Sequence, residues 1–189
     1  DLFLVHPEGR IFYSVAKEIA EMGFDGIDIN MGCPVKKIIK TGSCSALIDN
    51  PSLARELVDA TKQGAGGLPV SVKTRLGFKT RKTESWTRFL LELEPAALTM
   101  HGRTARETTN VPADWEAIRR VVEIRDEMNS DAVVIGNGDI TSRSQVQEAR
   151  HHYGVDGVMI GRGVLQNLFV FRPGTTAPTD FADLSAVEK

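Results

Sequence analysis

The sequence predicts an α/β protein of the (βα)8 TIM-barrel type, incomplete, with about six of the eight βα units present. Three observations carry this. Short β-branched runs alternate with longer amphipathic segments, the pattern of parallel strands joined by helices. Each strand-like run feeds a basic or glycine-containing loop and then a helix, so one unit repeats along the chain. Two consecutive glycine-bearing loops, Gly136-Asn137-Gly138-Asp139 and Gly161-Arg162-Gly163, fit the place where barrels form a phosphate site after strands 7 and 8. Periodicity alone also fits an open doubly wound sheet. The paired glycine loops favour the barrel and number the strands 3 to 8.

In chain order, the strands are expected at Leu2–Val5, Gly26–Asn30, Val70–Thr74, Ala97–His101, Ala132–Gly136 and Gly157–Ile160. Helices are expected between them at Ile11–Met22, Ser52–Gln63, Thr83–Leu93, Asp114–Met128 and Ser142–His151. Pro51-Ser52 and Thr141-Ser142 have the composition of helix starts, and Gly64 and Gly154 that of helix stops. Residues 1–172 form the partial barrel, and Pro173–Lys189, rich in Pro, Gly, Thr and Ala, reads as a linker or tail.

With 189 residues and 41% hydrophobic content the chain can bury one substantial core. No apolar run approaches the roughly 20 residues needed to span a bilayer, and no signal-peptide order opens the chain, so a cytoplasmic protein is expected. Cys33 and Cys44 lack CxxC spacing and partners for a metal cage, so no metal and no disulfide are expected. The net charge is −2, yet Cys33–Gly42, Lys73–Lys82 and His101–Arg106 hold ten of the 23 Lys and Arg residues and no Asp or Glu. If those stretches share one face, a polyanion is focused onto it.

The strand ends deliver the chemistry. Asn30-Met31-Gly32-Cys33-Pro34-Val35 presents a thiol at the mouth, with Gly32 and Pro34 expected to fix the turn and Lys36 and Lys37 close behind. Later ends bring Lys73 and Arg75, His101 and Arg103, Asn137 and Asp139, and Gly161 and Arg162. A packed barrel needs no polar group at these positions, so their convergence favours a charged, hydrogen-bonding ligand. Alone, His101 is as well a structural histidine, Asp139 an N-cap, and Cys44, with only small neighbours, a structural cysteine. Lys73 and Arg75 share one side of their strand. A lysine there suits the O2/N1 edge of a flavin, or a Schiff base.

These motifs resemble the flavin-dependent tRNA dihydrouridine synthases. The matching pieces are DINMGCPVKK (28–37), SALIDNP (45–51), VSVKTRLGF (70–78), LTMHGRT (98–104), VIGNGDI (134–140) and GVMIGRG (157–163), in family order and at family spacing. The resemblance implies FMN reduced by NADPH, hydride delivered to C6 of a tRNA uridine, and a proton delivered to C5 by Cys33. It places Lys73, His101, Asn137, Gly138, Asp139, Gly161 and Arg162 on FMN, and Asn30, Lys36, Arg75 and Arg103 on the substrate side. A thiol is mostly protonated at neutral pH and can act as a general acid. The departures are an absent N-terminal strand with its flavin contact, an absent helical tRNA-gripping domain, and Cys44 where the family usually has glycine. Two other readings compete: an RNA- or phosphate-binding fragment without catalysis, and a flavin dehydrogenase of a free pyrimidine. A fragment folding alone is expected to dimerise or exchange strands.

Overall fold

A computed structural model describes residues 7–171. The expected strand Leu2–Val5 and the tail 173–189 lie outside the described residues. The elements run α1 (Pro7–Glu21), β1 (Ile27–Asn30), α2 (Lys36–Ile39), a 3-10 segment (Cys44–Asp49), α3 (Pro51–Gly64), β2 (Val70–Arg75), α4 (Thr83–Leu91), β3 (Ala97–His101), α5 (Trp115–Glu127), β4 (Val133–Asn137), α6 (Arg143–Tyr153), β5 (Gly157–Met159) and α7 (Gly163–Gln166).

The five strands pair in chain order, β1-β2-β3-β4-β5, and every pairing is parallel. A doubly wound sheet reverses its strand order part-way, whereas a barrel adds each strand beside the last, so the topology is that of a partial (βα)8 barrel. Alternation sets the two faces. Val70, Val72, Thr74, Leu98, Met100 and Val134 are buried in the layer shared with the helices. Ser71, Lys73, Thr99, His101, Ile135 and Asn137 occupy the alternate positions, the barrel interior. Arg75, His101, Asn137 and Met159 are register partners across four strands, which lines up their side chains at one rim.

Local chemistry explains the boundaries. Asn50 caps α3 by accepting from the Leu53 N–H at 3.3 Å, with Pro51 in the first turn, one residue ahead of the expected start. Ser142 and Gln145 form a reciprocal capping box on α6, and Gly154 ends it in the left-handed conformation, φ 70°. Gly64 is the last residue of α3, where the sequence predicts the stop, and it also serves the packing. A Cβ there would lie 2.2 Å from the Tyr13 carbonyl oxygen, so glycine lets α3 press against the backbone of α1. Gly136 does the same for the Trp115 ring of α5, whose Cζ3 would stand 2.4 Å from an added Cβ. The short α2, the 3-10 segment and α7 have too few residues to show a helical period, so none of them is expected from the sequence.

Candidate functional site

On the β1–β2 side of the mouth, hydrogen bonds to backbone carbonyls shape the cysteine turn. The Met31 N–H donates to the Lys73 carbonyl at 2.7 Å and carries β1 one residue further along β2. Asn30 Oδ1 accepts from the Gly32 N–H at 2.9 Å and turns the chain. Arg75 Nε donates to the Gly32 carbonyl at 2.6 Å, and the Ser45 hydroxyl to the Cys33 carbonyl at 2.7 Å. A Cβ on Gly32 would meet the Thr74 backbone only at 3.5 Å, so these bonds hold the turn rather than any crowding that demands glycine. Cys33 itself is half-buried and not disulfide-bonded. Cys44 lies beside it, in a left-handed conformation with φ 53°. Burial, then the neighbouring Cys33 thiol, pushes the Cys44 thiol up.

On the β3–β5 side, a cavity of about 370 Å³ is lined by Lys73, His101, Arg103, the Asn137–Thr141 loop and the Gly161–Gly163 loop. Lys73 Nζ donates to Asn137 Oδ1 at 3.3 Å, and Asn137 Nδ2 donates to the Met159 carbonyl at 2.8 Å, so β2, β4 and β5 meet at one polar point. Burial and then the Arg75 charge push the Lys73 ammonium down, with Asp28 partly opposing. His101 is pushed down to about 3 by burial and by the cations of Arg75, Lys73 and Arg103. Gly138, at φ 137°, has no room for a side chain, since a Cβ would lie 2.5 Å from that of Ala113. Gly161 faces open space, with nothing within 4 Å of an added Cβ.

Arg75 and Arg103, expected on the substrate side, are buried, 7% and 3% exposed. Arg75 Nη1 donates to the Thr104 carbonyl at 3.2 Å, so one guanidinium ties the cysteine turn to the loop after β3. Arg103 Nη2 contacts both Asp139 oxygens at 2.7 and 2.6 Å, and its Nε donates to the Val111 carbonyl at 2.6 Å. Asp139 also accepts from the Ala113 N–H at 2.8 Å; it caps no helix, a role that Ser142 fills for α6. Burial raises the Asp139 carboxyl, but the Arg103 bonds outweigh it and hold it below the usual carboxylate range.

The ten cations noted in the sequence divide. Lys73, Arg75 and Arg103 turn inward, Arg81 pairs with Asp114 and Glu107, and Lys82 pairs with Asp49 at 2.6 Å. Lys36, Lys37, Lys40, Lys79 and Arg106 are exposed, as is Arg162 in the second glycine loop, and Asn30 is exposed at the end of β1. Ser45 is the site residue that sequence reasoning passed over. It sits in the quoted SALIDNP segment, and its signal, a buried hydroxyl, is visible only in three dimensions. A second cavity of about 490 Å³ between α1 and the β1 edge is lined mostly by apolar side chains. Among the described residues no cluster of His, Cys, Asp and Glu could hold a metal, and no helix is long and apolar enough to cross a membrane.

The fold and site define a partial (βα)8 barrel protein with a thiol on one side of its mouth and a glycine-lined, cation-flanked cavity on the other. The family model for "Dihydrouridine synthase (Dus)" matches residues 4–187, and the chain belongs to that family. It is 45% identical over 161 residues to a probable tRNA-dihydrouridine synthase of Staphylococcus aureus, covering 85% of this chain and 48% of that protein. It is likewise 45% identical to the probable tRNA-dihydrouridine synthase 2 of Bacillus subtilis, over 85% of this chain and 49% of that protein. The chain thus spans about half the length of these relatives. A solved structure of morphinone reductase in complex with tetrahydroNAD aligns with a TM-score of 0.60 at 19% identity, over 92% of this chain and 50% of its own, a likeness of fold.

Proposed function

We propose that this chain forms the catalytic barrel of a cytoplasmic, NADPH-dependent flavoprotein that reduces uridine to dihydrouridine in tRNA. The observation that carries the reading is the placement of the Cys33 turn and the glycine-lined cavity at the carboxyl ends of one sheet, with Lys73 reaching across to Asn137. The residues fit FMN. Gly138 leaves a backbone cradle that a Cβ would fill, Gly161 is open, and Arg162 adds a cation for the phosphate. Lys73 and His101 offer donors to the ring and phosphate, and Asn137 orients Lys73.

Reduced FMN supplies hydride to uracil C6 when bound. Cys33 Sγ–H delivers the proton to C5, and the Arg75 and Ser45 bonds to its turn keep the thiol in place while the proton moves. Asn30, exposed beside the turn, offers an amide to the uracil edge. The exposed Lys36, Lys37, Lys40, Lys79 and Arg106 contact tRNA phosphates and offset part of the few kcal/mol that unstacking a base costs.

The test is dihydrouridine formation by the whole protein on unmodified tRNA, with NADPH oxidation followed in parallel. Turnover on tRNA but not on free uracil selects this reading; turnover on the free base selects a pyrimidine dehydrogenase. Flavin and tRNA binding with no turnover would leave a binding protein.

A further inference from the structure

His101 has a neighbour that decides where its proton sits. Arg103 Nη1 lies 3.1 Å from His101 Nε2, and a guanidinium has donors only, so Nε2 must offer a lone pair. The single ring proton of a neutral imidazole is then on Nδ1. Among the described residues no protein atom bonds Nδ1, and it is not an orphaned buried atom, so it opens on the cavity that His101 lines.

Arg103 has little freedom to turn away. Its Nε is held by the Val111 carbonyl at 2.6 Å and its Nη2 by both oxygens of Asp139. Asp139 is fixed in turn by the Ala113 N–H and by its left-handed backbone, φ 58°. A Cβ on Gly138 would stand 3.4 Å from His101 Cδ2, so the glycine leaves the ring its place. The charges facing the imidazole are Lys73 and Arg75 from β2, Arg103 from the loop after β3 and Asp139 from the loop after β4. Three cations against one carboxylate oppose a second ring proton.

We propose that Arg103 and Asp139 are positioning residues that lock His101 as the neutral Nδ1–H tautomer, so the ring meets a bound ligand only as a hydrogen-bond donor. The cavity at that point therefore selects an acceptor atom, a phosphate oxygen or a carbonyl of a flavin ring, and His101 is excluded as the proton donor at neutral pH. The naming of the flavin rests on the proposed function; the tautomer does not.

Nitrogen-15 NMR of the labelled whole protein without cofactor reads the tautomer directly, with the His101 signals assigned by their loss in His101→Asn. The expected pattern is one neutral tautomer with bare Nε2 and protonated Nδ1, held from neutral into mildly acidic pH. In Arg103→Met both tautomers should be populated and the ring should titrate at higher pH. Asp139→Asn guards against misfolding, because asparagine tolerates a left-handed backbone, and it should show the same mixing. A protonated Nε2 or an imidazolium in the unsubstituted protein at neutral pH overturns the proposal, as does an unchanged single tautomer in both variants. Loss of the uridine-reduction reading would show separately, as no dihydrouridine formed by the whole protein on unmodified tRNA.

Discussion

At the β1–β2 half of the mouth, side chains act on the backbone: Arg75, Ser45 and Thr74 each donate to a carbonyl of the Met31–Cys33 segment. At the β3–β5 half, side chains act mainly on one another, as Arg103 grips Asp139 and His101 while Lys73 meets Asn137. The first arrangement fixes where a thiol is while leaving the thiol itself available. The second fixes charge and protonation, which is what an anionic ligand senses. Holding a turn and shaping a field are thus done at the two halves of one mouth, with β2 serving both through Arg75 and Lys73.

Substitutions on either half, or at Arg75 between them, break or sharpen this division. Cys33→Ala should lower dihydrouridine formation by on the order of 1,000-fold, read by nucleoside analysis of tRNA, with the flavin absorbance retained. Arg75→Met leaves the Gly32 and Thr104 carbonyls without their donor and should cost roughly 3 kcal/mol in a urea titration. Gly138→Ala forces a side chain into φ 137°, a strain of about 1–3 kcal/mol, and should weaken FMN binding in a fluorescence titration while Cys33 alkylation keeps its rate. If the alkylation rate changes too, the halves are coupled.

Protonation gives a fourth test. His101 is held down to about 3 in the folded chain against an ordinary value of 6.5, so below 6.5 the unfolded chain takes up a proton that the folded one refuses. Stability without cofactor should fall as pH drops from 6.5 toward 3, and His101→Asn should flatten that slope in urea titrations across pH. The smallest effect expected is Ser45→Ala, at about 1 kcal/mol, with faster alkylation of Cys33 as its turn loosens.

Much of the architecture was legible because it rests on period and punctuation. Ala97–His101 is found where the sequence puts it, and the side shared by Lys73 and Arg75 follows from alternation alone. What escaped was partnership. Arg75 and Arg103 are expected on the substrate side, and a sequence shows their charge but not the carbonyls and carboxylate they bond. Gly64 ends α3 where the sequence puts the stop, but its close approach to the Tyr13 carbonyl was hidden, because that carbonyl belongs to another helix. Ser45 had no signal, since the Cys33 carbonyl it binds lies 12 residues away.

The consecutive strand order has a consequence in time. Each strand's partner is the one made just before it, so a chain leaving the ribosome can add strands in the order of synthesis. The cysteine turn receives the Arg75 bond as soon as β2 is in place and its second tie when Thr104 arrives. The ligand cavity waits for Gly161 and Arg162, among the last of its walls to be made. The Cys33 turn is therefore set before the cavity across the mouth from it can close.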